Sequence, residues 1–295
     1  MCAAKKIDGS GALGQRLRSE GLGEVWLTLT GIAPQVLIPQ LVATVLHEGV
    51  TRPAWRWNRG GREHVFMVWP TDQPIRAGVL MAGEEGGKLK PASAVPILEG
   101  LPNALTVDEV HPRAEGLGAD VGVAMQEQAA PMWFYDPLYG RDQDDLTPGV
   151  THTFNLAAVA LGLRKALLDD LTVTSGPHYE AWAMRWLEEN PGKDSRDVPP
   201  LKVPAAGKRL IMPGRFYCQY QLRGIIDDTD EAMLEKMPVS ILYLTFPFDE
   251  RPDMRLPLYA SRAVLGNYTP EKGEEIEALV WMQGRIIDLD QGAPQ

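Results

Sequence analysis

Two stretches far apart in the chain carry the same pleat. Phe154, Leu156, Ala158, Ala160 and Gly162 stand at every second position, and Ile276, Ala278, Val280, Met282 and Gly284 do so over an equal span. Side chains alternate faces along a strand, so each run predicts a strand with one face turned to a core. Each is preceded by Thr-Pro and then glycine: Thr147, Pro148 and Gly149 before the first, Thr269, Pro270 and Gly273 before the second. Gly149 lies five residues before its run and Gly273 three, a difference that preserves the inward face.

The echo extends backwards. Pro137-Leu138-Tyr139 precedes the first run and Pro257-Leu258-Tyr259 the second. Before these come "VFMVWPTD" (65–72) and "ILYLTFPFD" (241–249), strands that close on an aromatic residue, a proline and an aspartate. Proline cannot donate to a ladder, so each strand should end there or lie at an edge. Earlier still, "VWLTLTGI" (25–32) and "RFYCQYQLRGI" (215–225) alternate and end in Gly-Ile. The order predicts an internal duplication over about 23–165 and 208–288. The expected fold is mainly β with a few short helices, as two related meander or small OB-like barrel units. Two unrelated meanders sharing turn chemistry are the alternative.

This reading divides the chain into a flexible segment at 1–22, an N-terminal β unit at 23–189, a linker at 190–213 and a C-terminal β unit at 214–295. The first unit would hold a Gly- and Pro-rich insertion at about 73–120 and a closing helix at 178–189. Three helices are expected. One runs from Pro39 to Glu48 and stops at Gly49; one carries Tyr179, Trp182, Ala183, Trp186 and Leu187 on a face read as core; a short one starts at Asp228, with Glu231 placed as in a capping box.

Charge and cysteine content exclude several classes. A net charge of -10 disfavours a protein that coats nucleic acid, although residues 1–70 hold eight Lys or Arg against five Asp or Glu. Two cysteines, Cys2 and Cys218, rule out a disulfide framework or a four-cysteine zinc site. The five histidines form no close pair, so no metal or other cofactor is expected. No window has the length and apolarity of a membrane span, and no signal segment is evident, so a soluble cytoplasmic protein is expected.

Chemistry-bearing patterns are sparse. "GSGALG" (9–14) lacks the preceding strand that a dinucleotide site requires. The acidic run Asp136, Asp142, Asp144, Asp145 reads as a solvated turn, and Cys218 as a buried structural thiol. The most suggestive surface is "RPAWRWNRGGREHVFMVW" (52–69). Gly60-Gly61 predicts a hairpin that puts Trp55 and Trp57 on one face and Arg56 on the other, with Arg52, Arg59 and Arg62 near its ends. Arginine beside aromatic rings serves both protein interfaces and single-stranded nucleic acids. The leading expectation is a non-catalytic binding or assembly protein, with a protein partner or self-association. One alternative is an enzyme with a pocket between the β units, built from Asp136, Tyr139, His152 and Tyr259. Another is a single-strand nucleic-acid binder using the Arg/Trp hairpin.

Overall fold

The computed structural model describes residues 22–48, 54–113, 117–124, 131–167, 170–174, 177–204, 206–214, 216–248 and 251–287. Strands make up 53% and helices 18% of the structure, so the fold is mainly β.

The chain opens with helices, not strands. Helix α1 spans Leu22–Thr30 and α2 spans Pro34–Glu48. The stretch read as an alternating strand is α1, because Leu22, Val25, Trp26 and Leu29 are the buried set. Their spacing is that of one helical face, and Leu27, needed inside by a strand, is 46% exposed. Helix α2 starts earlier than Pro39 and carries that proline within its span, burying Leu37, Ile38, Leu41 and Val45. The two helices meet at 84°, and among the described residues no single helix is long and apolar enough to cross a membrane.

A four-stranded antiparallel meander follows: β1 (Trp55–Arg59), β2 (Arg62–Trp69), β3 (Ile75–Glu84) and β4 (Lys90–Leu98). The supposed insertion is therefore regular sheet from its start. Two of its prolines, Pro91 and Pro96, are admitted because they lie on β4, an edge strand with one side free of ladder bonds. In β2, Val65 to Val68 are all buried, as a strand covered on both faces requires.

A second, ten-stranded sheet contains β5 (Leu101–Pro112), β6 (Ala119–Ala124), β7 (Met132–Asp136) and β8 (Thr151–Lys165), with the one-turn helix α3 (Tyr139–Asp142) between the last two. Beyond it lie β9 (Asp170–Val173), α4 (Pro177–Glu189) and β10 (Leu201–Pro204), with β9 and β10 paired only to each other. The aromatic stripe of α4 is half-buried, not core, and Met184 beside it is 63% exposed. The remaining strands of the large sheet are β11 (Leu210–Pro213), β12 (Gln219–Ile225), β13 (Asp228–Leu234), β14 (Met237–Phe248), β15 (Arg251–Ser261) and β16 (Glu275–Ile286), with α5 (Arg262–Leu265) before β16.

Two expectations fail in this part of the chain. The segment 190–213 is not a bare linker, since it supplies β10 and β11. Asp228 begins strand β13 and no helix: Ala232 and Leu234 are buried in alternation against β14, and that tertiary pairing outweighs a cheap capping pattern.

The pairing order repeats. The start of β5 pairs with β8 and its end with β6, while β12 pairs with β16 and β13 with β14. The nitrogen of Gly149 donates to Val107 O and that of Gly273 to Ile226 O, both at 2.8 Å. Both glycines are left-handed, at φ 84° and 86°, which no residue with a Cβ adopts cheaply. Strand β15 runs parallel to β8 with Tyr259 beside Val159, and β7 parallel to β16 with Tyr135 beside Gln283. One displacement along the chain carries Tyr135 to Tyr259, Gly149 to Gly273 and Val159 to Gln283. In this register Leu156 matches Val280, two positions from the match expected between Ala158 and Val280; the inward face is the same. The Pro-Leu-Tyr motifs do not correspond, because Pro257 to Tyr259 lie inside β15 whereas Pro137 to Tyr139 form the turn into α3.

Strands β8 and β16 lie side by side at the centre. Phe154, Leu156, Ala158 and Ala160 join Ile276, Val280 and Met282 in one core. From the opposite face Ala157, Val159 and Trp281 enter a second core, with the meander and both N-terminal helices. Strand β16 is thus covered on both faces within one chain, with Trp281 buried and Leu279 38% exposed.

Candidate functional site

The Gly60-Gly61 turn, with φ of 58° and 72°, sets the register of β1 on β2. Trp55 then stands opposite Phe66, Trp57 opposite His64 and Arg59 opposite Arg62. Period two puts these six side chains on one face, which lies over the turn from β7 into α3. Arg59 reaches that turn directly, donating to Gly140 O at 3.2 Å and to Asp144 Oδ2 at 2.5 Å.

Between hairpin and turn lies a cleft of about 250 Å³, lined by Trp57, Arg59, Arg62, His64, Ala82, Leu117, Gly140 and Gln143. The rings of Trp57 and His64 stack at 5.2 Å and 5°. Trp57 Nε1 and His64 Nδ1 are both buried and have no hydrogen-bond partner. A buried polar atom without a partner costs about 1–3 kcal/mol, so two neighbouring ones call for a reason. Burial holds the His64 imidazole below its usual pKa, and the charges of Arg62 and Arg59 act the same way against the opposing pull of the Arg62 backbone.

The remaining hairpin residues have other tasks. Trp55 packs edge-on to Phe66 at 5.7 Å, with the Arg141 and Arg285 guanidinium groups 5.5 and 5.6 Å from its ring centre. Arg56 lies on the opposite face, paired with Glu63 at 3.1 Å. Arg52 falls outside the described residues.

The supposed inter-unit pocket is not assembled in this way. The Tyr259 hydroxyl donates to Glu99 O and Pro74 O at 2.8 and 3.1 Å, under β3 and β4. His152 Nε2 is bonded to Asp145 O at 2.9 Å, and the ring lies against Phe154. Asp136 is fully buried and Tyr139 half-buried, both at the β7–α3 turn.

The acidic run is only partly a solvated turn. Asp136 and Asp142 are both fully buried. Arg141 clamps Asp142, with Nη2 to Oδ2 at 2.8 Å. Asp136 Oδ1 accepts from Leu138 N at 2.8 Å, and its Oδ2 has no partner. Burial, reinforced by the Asp142 carboxylate, pushes Asp136 well above the usual carboxylate range, against the pull of the Leu138 N–H, Arg141 and Arg285. A carboxyl whose folded pKa is raised stabilises the fold at low pH, and that contribution is lost as pH rises through the folded value. Asp136→Asn keeps the acceptor for Leu138 and removes the titration. The variant is therefore expected to melt at a higher temperature than wild type at pH 8, with the difference shrinking towards pH 4. Thermal melts across that range would show the opposite trend if Asp136 were a stabilising anion.

Cys218 is fully buried, as expected of a structural thiol, with Sγ 3.0 Å from Asp120 Oδ1. Burial and then the Asp120 charge push it well above the usual thiol range. Among the described residues, no three His, Cys, Asp or Glu side chains converge as a metal site would require.

Sequence reasoning passed over His64, Ala82, Leu117, Gly140 and Gln143. His64 was within reach, since a two-residue turn at Gly60-Gly61 forces it opposite Trp57. Ala82 comes from β3, and Leu117, Gly140 and Gln143 arrive from two more distant segments that no local pattern connects to the hairpin. No protein-family model matches the chain, and neither a curated protein nor a solved structure matches it.

Proposed function

We propose that the protein is a non-catalytic binding protein whose recognition site is the cleft between the β1–β2 hairpin and the β7–α3 turn. The observation that carries this reading is a preformed cleft lined by Trp57 and His64, each of which has a buried ring nitrogen without a hydrogen-bond partner. A bound ligand or water is one way in which such costly groups are completed. The lining holds guanidinium groups, an indole, an imidazole, an amide and apolar carbon, and no hydroxyl, thiol or carboxylate. That set binds and orients; it offers no nucleophile with an adjacent base. The Trp rings meet His64 and Phe66 within the protein, which weighs against stacking on single-stranded nucleic acid.

The scaffold reads as an internal duplication. The matched pairings of β5 to β8 with β12 to β16 support it, with the meander and N-terminal helices laid on one face. Its central strands would form a rigid base against which the hairpin is held.

The site is tested by filling it. Ala82 stands opposite His64 on the cleft wall, so Ala82→Leu grows into the space. A screen of small molecules of mixed charge by ligand-observed NMR is expected to yield binders to wild type that the variant loses, with its melting temperature within a few degrees of wild type. No binders, or binders indifferent to the filling, would sink the reading.

A further inference from the structure

We infer that the cleft receives a small oxyanion, the phosphate or carboxylate group of a small molecule, gripped between the guanidinium groups of Arg59 and Arg62; the inference rests on the binding reading above. Register places the two arginines directly opposite one another at the end of the hairpin, on the face that carries Trp57 and His64. Like charges in direct cross-strand opposition destabilise a sheet, so the pair needs a compensating anion. The protein supplies one in part. Among the described residues Asp144 reaches Arg59 only, and its side chain is 83% exposed, which makes it a weak and exchangeable partner. Arg62 stands opposite Glu84 of β3 in register, yet it makes no ion pair with that or any other carboxylate among the described residues.

Donor chemistry points the same way. A guanidinium and an indole N–H can only donate, so three of the lining groups ask for an acceptor. A neutral acceptor would satisfy the indole but leave two cations facing each other, and a cation would be repelled. An oxyanion meets both demands with charge-assisted bonds, and Arg59 and Arg62 offer the fork geometry that matches carboxylate and phosphate. Ala82 and Leu117 make part of the wall apolar, where such bonds are stronger than in water. The volume, about 250 Å³, lies below the roughly 300–1,000 Å³ of drug-sized sites, so the ligand is small.

The test titrates four probes into the full chain: inorganic phosphate, benzoate, the neutral benzamide and the cationic benzamidine. The readout is the Trp57 indole N–H resonance, assigned by its absence from Trp57→Phe. Phosphate, benzoate or both should shift it, and whichever binds tighter names the source of the oxyanion. Arg62→Gln and Arg59→Gln should each weaken that probe at least tenfold, with Arg62→Lys intermediate, and exposed Arg62 is not needed for folding. Shifts with benzamide or benzamidine alone would overturn the anion while leaving the binding site standing. Anion shifts indifferent to both arginine variants would overturn the grip, and silence from all four probes would overturn the inference, the cleft-filling screen then deciding separately whether anything binds there.

Discussion

Trp26→Ala is expected to lower the unfolding free energy by ~3–5 kcal/mol, the range for removing a buried tryptophan from a packed core. Trp26 is fully buried on α1, and its indole Nε1 donates to Ala94 O of β4 at 2.9 Å. The residue is thus the rivet between the N-terminal helices and the meander. Its loss opens a cavity and leaves a buried carbonyl without a donor. Trp26→Phe separates the two effects, since it keeps most of the packing and orphans Ala94 O at a cost of about 1–3 kcal/mol. Urea unfolding of both variants gives the comparison. A loss below 1 kcal/mol for Trp26→Ala would mean that α1 does not pack where it is placed.

A second large effect is expected where β12 pairs with β16. Arg223 is 3% exposed and donates through Nε to Glu275 at 2.6 Å and through Nη1 to Glu277 at 3.1 Å. Burying a guanidinium is costly unless carboxylates face it. The double variant Glu275→Ala/Glu277→Ala takes two carboxylate partners from the buried charge and should cost ~3–5 kcal/mol. Adding Arg223→Met to that variant removes the buried charge and should recover a substantial part. If the triple variant is no more stable than the double, lost packing and not charge is the cause. The hydrogen bond from Arg223 holds the Glu275 carboxyl below the usual range. A carboxyl with a lowered folded pKa contributes stability above its unfolded value, near 4.3, and loses it as pH falls through the folded one. The Glu275 contribution should therefore fade on acidification below about pH 5, and the triple variant, which lacks it, should lose less stability than wild type over that range.

The hairpin and the central strands were legible because each depends on local rules. A Gly-Gly turn between alternating segments fixes which residues oppose each other, so Trp57 over His64 and Arg59 over Arg62 follow from the order of residues alone. The inward faces of β8 and β16 follow from period two. Helix α1 was misread for a related reason. In a short apolar segment, Val25, Leu27 and Leu29 fit a strand while Leu22, Val25, Trp26 and Leu29 fit a helix, and only the surface offered by the meander selects the second.

By itself, then, the order of residues determined the β character, the hairpin with its facing pairs, the two central pleats and the buried state of Cys218. Tertiary structure alone decided which distant segments meet. It set the β7–α3 turn beneath the hairpin, so that Gly140 and Gln143 complete the cleft with Arg59 and Arg62. It also sank Asp136 and Asp142 where a solvated turn had been expected, and sent Tyr259 and His152 to separate partners. The physical reason is the range of the forces involved. Turn chemistry and pleat act over a few neighbouring residues and are written locally. Burial, desolvation and the pairing of Arg59 with Asp144 or Arg223 with Glu275 depend on segments brought together only when two sheets and their helices close on shared cores.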